Sequence, residues 1–238
     1  MIVALDISTS MLAMDFSPNR LEAAKKVAME FISGREHDRM GLVVFAGEAF
    51  TQCPLTTDRA VLLNLFKDIR TGLIEDGTAI GNGLATAVAR LKDSQAISRV
   101  VILLTDGENN RGEVAPLTAA EIAKTYGIRV YTVGVGSVGT APYPVQTPFG
   151  TQVQNLEVRI DEGMLRQISQ ITDGRYFRAT SNLKLAEIYQ EIDQLEKSKI
   201  DIKEYSRRSE EFMPFALAGL VLLITGLFLK VTLFRNIP

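Results

Sequence analysis

The chain has 238 residues, enough for one full α/β domain with a sizeable core and a small appendage. Its 26 Lys and Arg against 28 Asp and Glu give a formal charge of −2, which leaves no electrostatic case for nucleic acid as the partner. A single cysteine excludes an internal disulfide.

Ile2-Val3-Ala4-Leu5 is a short apolar run of the kind that forms a buried parallel strand, and it leads straight into Asp6-Ile7-Ser8-Thr9-Ser10. Leu21, Ala24, Val27, Ala28 and Phe31 mark the inner face of a first helix that Gly34 can close. Among the charged residues Arg35, Glu36, Asp38 and Arg39, His37 reads as a solvated loop residue. Met40 to Phe45 is a second strand. The short gap at Gly47 makes the run from Ala49 to Leu55 an antiparallel edge strand joined by a hairpin. Within that run Cys53, before Pro54, reads as a small core or edge residue.

Thr57 can cap a helix carrying Leu62, Leu65, Phe66 and Ile69. The loop Asp76-Gly77-Thr78 leads into another helix with Ile80, Leu84, Val88 and Leu91 inside. Val100 to Leu104 is the clearest buried strand, and it ends on Thr105-Asp106-Gly107. Thr118 with Glu121 reads as a capping box for a helix that Gly127 closes. A strand over Arg129 to Val135, a helix over Asp161 to Thr172 and a short strand over Arg175 to Arg178 follow. The last helix of the series carries Leu185, Ile188, Ile192 and Leu195 on one stripe.

This alternation predicts an α/β fold with a doubly wound, mostly parallel six-stranded sheet. The expected order is 3-2-1-4-5-6, with strand 3 antiparallel and helices on both faces. Two stretches break the rhythm. From Gly139 to Val158 the chain holds Pro142, Pro144, Pro148 and Gly150 and then alternates at Leu156, Val158 and Ile160, as a long loop or hairpin would. From Lys197 to Arg208 it is charged and poor in apolar residues. Beyond that, Phe212 to Leu229 carries no formal charge and no polar face, which suits a C-terminal transmembrane helix, with Lys230 able to snorkel and extend the span to Phe234. The expected division is a domain over 1–195, a charged juxtamembrane linker over 196–211, a transmembrane helix over 212–234 and a tail over 235–238.

In such a sheet the carboxyl ends of the parallel strands share one face, and ligands bind there at the switch point. The first and fourth strands flank that point. Their loops, with the one before the helix at Ile80, bring Asp6, Ser8, Ser10, Thr78 and Asp106 toward one crevice. All five offer oxygen, which suits a hard divalent cation such as Mg²⁺. The insertion after Val135 leaves the sheet on the same face, where its prolines, Tyr143 and Phe149 can form a wall beside that crevice.

Two other chemistries find less support. A phosphohydrolase of haloacid-dehalogenase type is the alternative to a binding module, since it places an Asp nucleophile after the first strand. It wants a second Asp two residues on as general acid, and Ser8 stands there. Gly134-Val135-Gly136-Ser137-Val138-Gly139 spells the dinucleotide fingerprint, but Ala141-Pro142-Tyr143-Pro144 follows where a helix must open.

The five oxygen-bearing residues resemble, position for position, the metal-ion-dependent adhesion site of von Willebrand factor type A domains. The resemblance spans about residues 1 to 195. It is strongest to the bacterial BatA membrane proteins of the aerotolerance operon, through Asp6 to Leu12, Phe45 to Thr57, Asp76 to Gly83 and Leu103 to Gly112. It implies that Ser8, Ser10 and Thr78 coordinate Mg²⁺, or Mn²⁺, directly, and that Asp6 and Asp106 act through bound water. It implies a non-enzymatic module that captures an exposed Asp or Glu of a partner protein, with other Bat proteins and a MoxR-type AAA+ ATPase as the partners in view.

Met1 to Leu5 reads as the start of the first strand and not as a signal peptide. The expectation is that Met1 is a late start, which makes this a bacterial inner-membrane protein with its domain in the periplasm. The alternative, with Met1 as the true start, is a tail-anchored protein with a cytoplasmic domain.

Overall fold

The computed structural model describes residues 1–35, 38–96, 98–137, 139–147, 150–207 and 212–232. His37 and Phe149 lie outside the described residues. The chain divides into two compact units, Met1–Glu196 and Lys197–Pro238.

The first unit is an α/β sandwich. Its strands are β1 (Ile2–Asp6), β2 (Met40–Phe45), β3 (Ala49–Thr56), β4 (Val100–Thr105), β5 (Arg129–Val135) and, after an inserted hairpin of β6 (Gly139–Thr147) and β7 (Gly150–Val158), β8 (Tyr176–Ala179). The main sheet runs β3-β2-β1-β4-β5-β8, and only β3 is antiparallel to its neighbour. The expected order therefore holds, with β8 in the sixth place, while β6 and β7 pair only with each other.

Every residue of β1, β2 and β4 is buried, as parallel strands covered on both faces must be. The period of two assigns their side chains to two cores. Val3, Leu5, Leu42, Val44, Ile102 and Leu104 share one with α1 (Arg20–Ser33), α2 (Arg59–Lys67) and the start of α6 (Asn182–Arg207). Ile2, Ala4, Val43, Phe45, Val101 and Leu103 share the other with α3 (Ile80–Leu91), α4 (Pro116–Thr125) and α5 (Glu162–Ile171). Each fully buried Val, Leu, Ile or Phe contributes roughly 1.5–3 kcal/mol, so the hydrophobic effect fixes the register of the central strands.

Two helix starts differ from the expected ones. Asp58, not Thr57, caps α2 by accepting from the Val61 amide at 3.1 Å. The helix expected to open at Thr118 opens instead at Pro116, because proline at the first helical position brings its φ already set. After β5 the chain runs into β6 and not into a helix, so the Gly134–Gly139 run has no dinucleotide-binding geometry.

In the second unit, α6 continues to Arg207 through the charged stretch, and α7 covers Phe212–Thr232. Within α7 side chains are described over 214–230, and all are exposed. Among the described residues, no helix is long and apolar enough to cross a membrane. The transmembrane helix expected over 212–234 is thus not shown, and 233–238 lie outside the described residues.

Candidate functional site

The carboxyl ends of β1 and β4 meet at the centre of the sheet, where the chain order reverses. β1 ends on Asp6, which is fully buried. Its Oδ1 accepts from the Ser8 amide at 2.9 Å and its Oδ2 from the Thr105 hydroxyl at 2.6 Å. A 3₁₀ turn over Thr9–Leu12 then folds the loop back, which sets the Ser8 and Ser10 hydroxyls 2.9 Å apart. From β4, Asp106 reaches the same place and accepts from the Ser10 hydroxyl at 2.6 Å.

Thr78 arrives from the loop before α3. Its hydroxyl lies 3.4 Å from the position that a Cβ on Gly107 would take, which puts it against the Asp106–Gly107 turn. Several hydrogen bonds hold the loop there. Thr78 donates its amide to Asn110 Oδ1 at 2.9 Å, and its carbonyl accepts from the Asn110 and Arg111 amides at 3.0 and 3.2 Å. Asp76, two residues earlier, accepts from the Thr9 amide at 2.9 Å and from the Thr9 hydroxyl at 2.7 Å. Although partial burial works against it, these Thr9 hydrogen bonds hold the Asp76 carboxyl below its ordinary range. The crevice thus gathers all five residues singled out in the sequence. Ser10 is half-buried there and the other four are buried.

Sequence reasoning did not find the cation beside them. Arg20, the first residue of α1, is buried at 2% exposure and donates from Nη1 to Asp106 Oδ2 at 2.7 Å. The same guanidinium grips Asp15 through Nε and Nη2, both at 2.7 Å. Asp15 also accepts from the Ser137 amide at 2.6 Å, and it ionises below its usual range because these donors outweigh its desolvation. Gly136, at φ +147°, lets β5 end against Arg20, since a Cβ there would sit 2.9 Å from the guanidinium carbon.

The electrostatics favour one more positive charge. Burial, aided by the nearby Asp106, pushes the Asp6 carboxyl up to about 7. Burial also raises Asp106, despite Arg20. Asp6, Asp15 and Asp106 set three carboxylates against one guanidinium. Among the described residues no group of three or more His, Cys, Asp and Glu is placed to hold a metal ion. The donors here are two carboxylates and three hydroxyls, an all-oxygen set that fits a hard divalent cation.

The hairpin forms the far wall of the crevice. Pro142 accepts from the Met14 amide at 2.7 Å, and the Tyr143 hydroxyl donates to the Thr9 carbonyl at 2.9 Å.

Residues 1–191 match the von Willebrand factor type A domain family. The chain belongs to that family. Among solved structures this type A domain is similar to BatB from Bacteroides thetaiotaomicron, at 37% identity and a TM-score of 0.72 over 82% of this chain and 98% of that one. It is also similar to an aerotolerance-related membrane protein from Bacteroides fragilis NCTC 9343 bearing multiple mutations to serines. There the identity is 34% and the TM-score 0.70, over 81% of this chain and 96% of that one. At 23% identity and a TM-score of 0.61, over 82% and 44% of the two chains, it shares the fold of proximal thread matrix protein 1 from the mussel byssus, solved with a zinc-occupied MIDAS motif. The type A domain is thereby related to Bat aerotolerance proteins.

Proposed function

We propose that this chain is a membrane-anchored, Mg²⁺-dependent protein-binding module. In this reading the hydroxyls of Ser8, Ser10 and Thr78 and the carboxylates of Asp6 and Asp106 hold the ion, with Mn²⁺ as a substitute. A bound divalent ion supplies a Lewis-acidic centre with affinity for one further anion, because neutral hydroxyls leave its charge poorly neutralised. The residues of the chain do the rest. Thr105 and the Ser8 amide orient Asp6, Ser10 bridges Ser8 to Asp106, and Arg20 fixes the far oxygen of Asp106. An Asp or Glu of a partner protein is the anion that such a crevice accepts.

The observation that carries this reading is the convergence of three loops on one oxygen cluster that includes two buried carboxyl groups, Asp6 and Asp106. A phosphohydrolase of haloacid-dehalogenase type wants an Asp two residues beyond Asp6 as general acid, and Ser8 stands there. The likeness to BatB and to an aerotolerance-related membrane protein is in keeping with a BatA-type role at a bacterial inner membrane; in this reading the domain lies in the periplasm and the partners are other Bat proteins and a MoxR-type AAA+ ATPase. The anchor would be the apolar run that opens at Phe212 and that the sequence extends to Phe234. Its exposed Phe215, Leu222 and Phe228 suit a lipid environment.

Calorimetry of the full chain against MgCl₂ tests the site. Asp6→Asn and Asp106→Asn should each abolish Mg²⁺ binding without unfolding the domain. Unchanged affinity in both variants would sink the assignment. Mg²⁺-dependent hydrolysis of a phosphate ester that disappears in Ser8→Ala would hand the case to the phosphohydrolase.

A further inference from the structure

The crevice between the β1 and β4 loops does not stop at the hydroxyl cluster. It opens into a cleft of about 470 Å³ bounded on the far side by the β6–β7 hairpin. Ser10, Asp106 and Asn110 line it together with Ala13, Tyr143, Leu156 and Val158. Polar groups converging beside apolar side chains, in a volume of this size, are found at ligand sites.

Two features separate these walls from ordinary surface. The hairpin is fixed in place, through the Met14–Pro142 backbone bond at 2.7 Å and the Tyr143–Thr9 bond at 2.9 Å. With its hydroxyl already bonded, Tyr143 presents its ring to the cleft as apolar area. Leu156 is 44% exposed although it faces a concavity, so it has area left for a ligand to cover. The rim is charged but balanced in part: Glu157 accepts from Arg159 at 3.2 Å, and Glu108 lies close enough to act on Arg159 electrostatically. Two glutamates at the rim disfavour a polyanion such as nucleic acid or an acidic lipid headgroup.

We infer that the cleft takes an apolar side chain from the same protein segment whose carboxylate occupies the metal site. The domain then reads an acidic residue with an aliphatic neighbour, and the hairpin supplies the second half of the recognition. This rests on the metal reading proposed above. The metal selects the carboxylate; Leu156, Val158 and the Tyr143 ring select what stands beside it.

The test uses acetylated, amidated tripeptides in which Asp is the sole carboxylate, titrated into the full chain with Mg²⁺ present. Burying one leucine side chain corresponds to about tenfold or more in affinity. Gly-Asp-Leu or Leu-Asp-Gly should therefore bind at least about tenfold tighter than Gly-Asp-Gly. Leu156→Ser should erase that preference, and chelator should abolish binding of all three. Mg²⁺-dependent binding of the three peptides with equal affinity overturns the inference and leaves the metal site standing. A leucine preference that survives chelator overturns the link between pocket and metal. Absence of any Mg²⁺-dependent binding counts against the metal reading itself and takes the inference with it.

Discussion

Arg20 Nη1 and Asp106 Oδ2 meet at 2.7 Å with 2% and 0% of their side chains exposed, and the same guanidinium holds Asp15 by two further bonds. The pair spans 86 residues of sequence and joins the start of α1 to the end of β4. Removing one partner of a buried ion pair leaves the other charged and unsolvated, at a cost of about 3–5 kcal/mol. Arg20→Gln should therefore lower the stability of the metal-free protein by about 3 kcal/mol in urea denaturation. Arg20→Lys keeps the charge but cannot make the fork to Asp15, so it should fall between wild type and Arg20→Gln. Equal stability of all three proteins would show that the pair carries no weight.

Asp6 gives the metal-free protein an unusual pH dependence. Its carboxyl is raised from the ordinary 3.8 to about 7, chiefly by burial. A raised folded pKa contributes stability that is complete below the unfolded value and is lost as pH climbs through the folded one. The metal-free protein should thus weaken between about pH 4 and pH 7, and Asp6→Asn should flatten that part of the profile. Mg²⁺ at 100 times its Kd should restore about 2.7 kcal/mol at pH 7, because it binds only the folded state. Denaturant titrations across this range, with chelator and then with MgCl₂, check both the sign and the reversal.

Glu196 titrates in the opposite sense. It is buried, yet bonds from Ser98, Tyr131 and Arg129 outweigh its desolvation and hold its pKa below the ordinary 4.5. A depressed folded pKa contributes stability that is present above the unfolded value and lost as pH falls through the folded one. Glu196→Gln should cost about 2 kcal/mol at pH 7, the worth of hydrogen bonds to a charged group. The gap should begin to close as pH falls below the ordinary 4.5 and go on closing through the lower folded value. A gap that stays constant down to pH 3 would mean that packing, not charge, sets its worth.

What could be read in advance follows from where the information lies. β1, β2 and β4 are almost wholly apolar runs, and burial on both faces leaves such runs few alternatives to a central parallel strand. Asp6, Ser8, Ser10 and Asp106 sit directly after two of those strands, so topology alone brings them together. Arg20 and Asp15 could not be read this way. Their role depends on how the segment from Ala13 to Asn19 doubles back, through bonds such as the Arg20 amide to the Ala13 carbonyl at 3.1 Å. Asn110, the residue that clamps the Thr78 backbone, is invisible for the same reason: it acts through a loop contact 32 positions away. The helix starts at Asp58 and Pro116 were missed because neighbouring Thr57 and Thr118 offered equally good local chemistry.

Gly136 ties a misleading motif to its real purpose. It belongs to a literal dinucleotide fingerprint, but the structure uses it to bring the end of β5 against the Arg20 guanidinium. Its φ of +147° is one that residues with a Cβ rarely adopt, and an added Cβ would stand 2.9 Å from both the guanidinium carbon and Nη2 of Arg20. Arginine side chains usually yield to such a contact. This one is pinned by Asp15 on one side and Asp106 on the other, so it can move only by breaking one of those pairs. Gly136→Ala should accordingly cost about 1–3 kcal/mol from backbone strain alone. It should also weaken Mg²⁺ binding severalfold, because displacing Arg20 frees the Asp106 oxygen that it holds. Thermal denaturation with chelator isolates the first effect and calorimetry with MgCl₂ the second. Lost stability with unchanged Mg²⁺ affinity would show that Asp106 keeps its place without Arg20, and would confine Gly136 to a role in the fold.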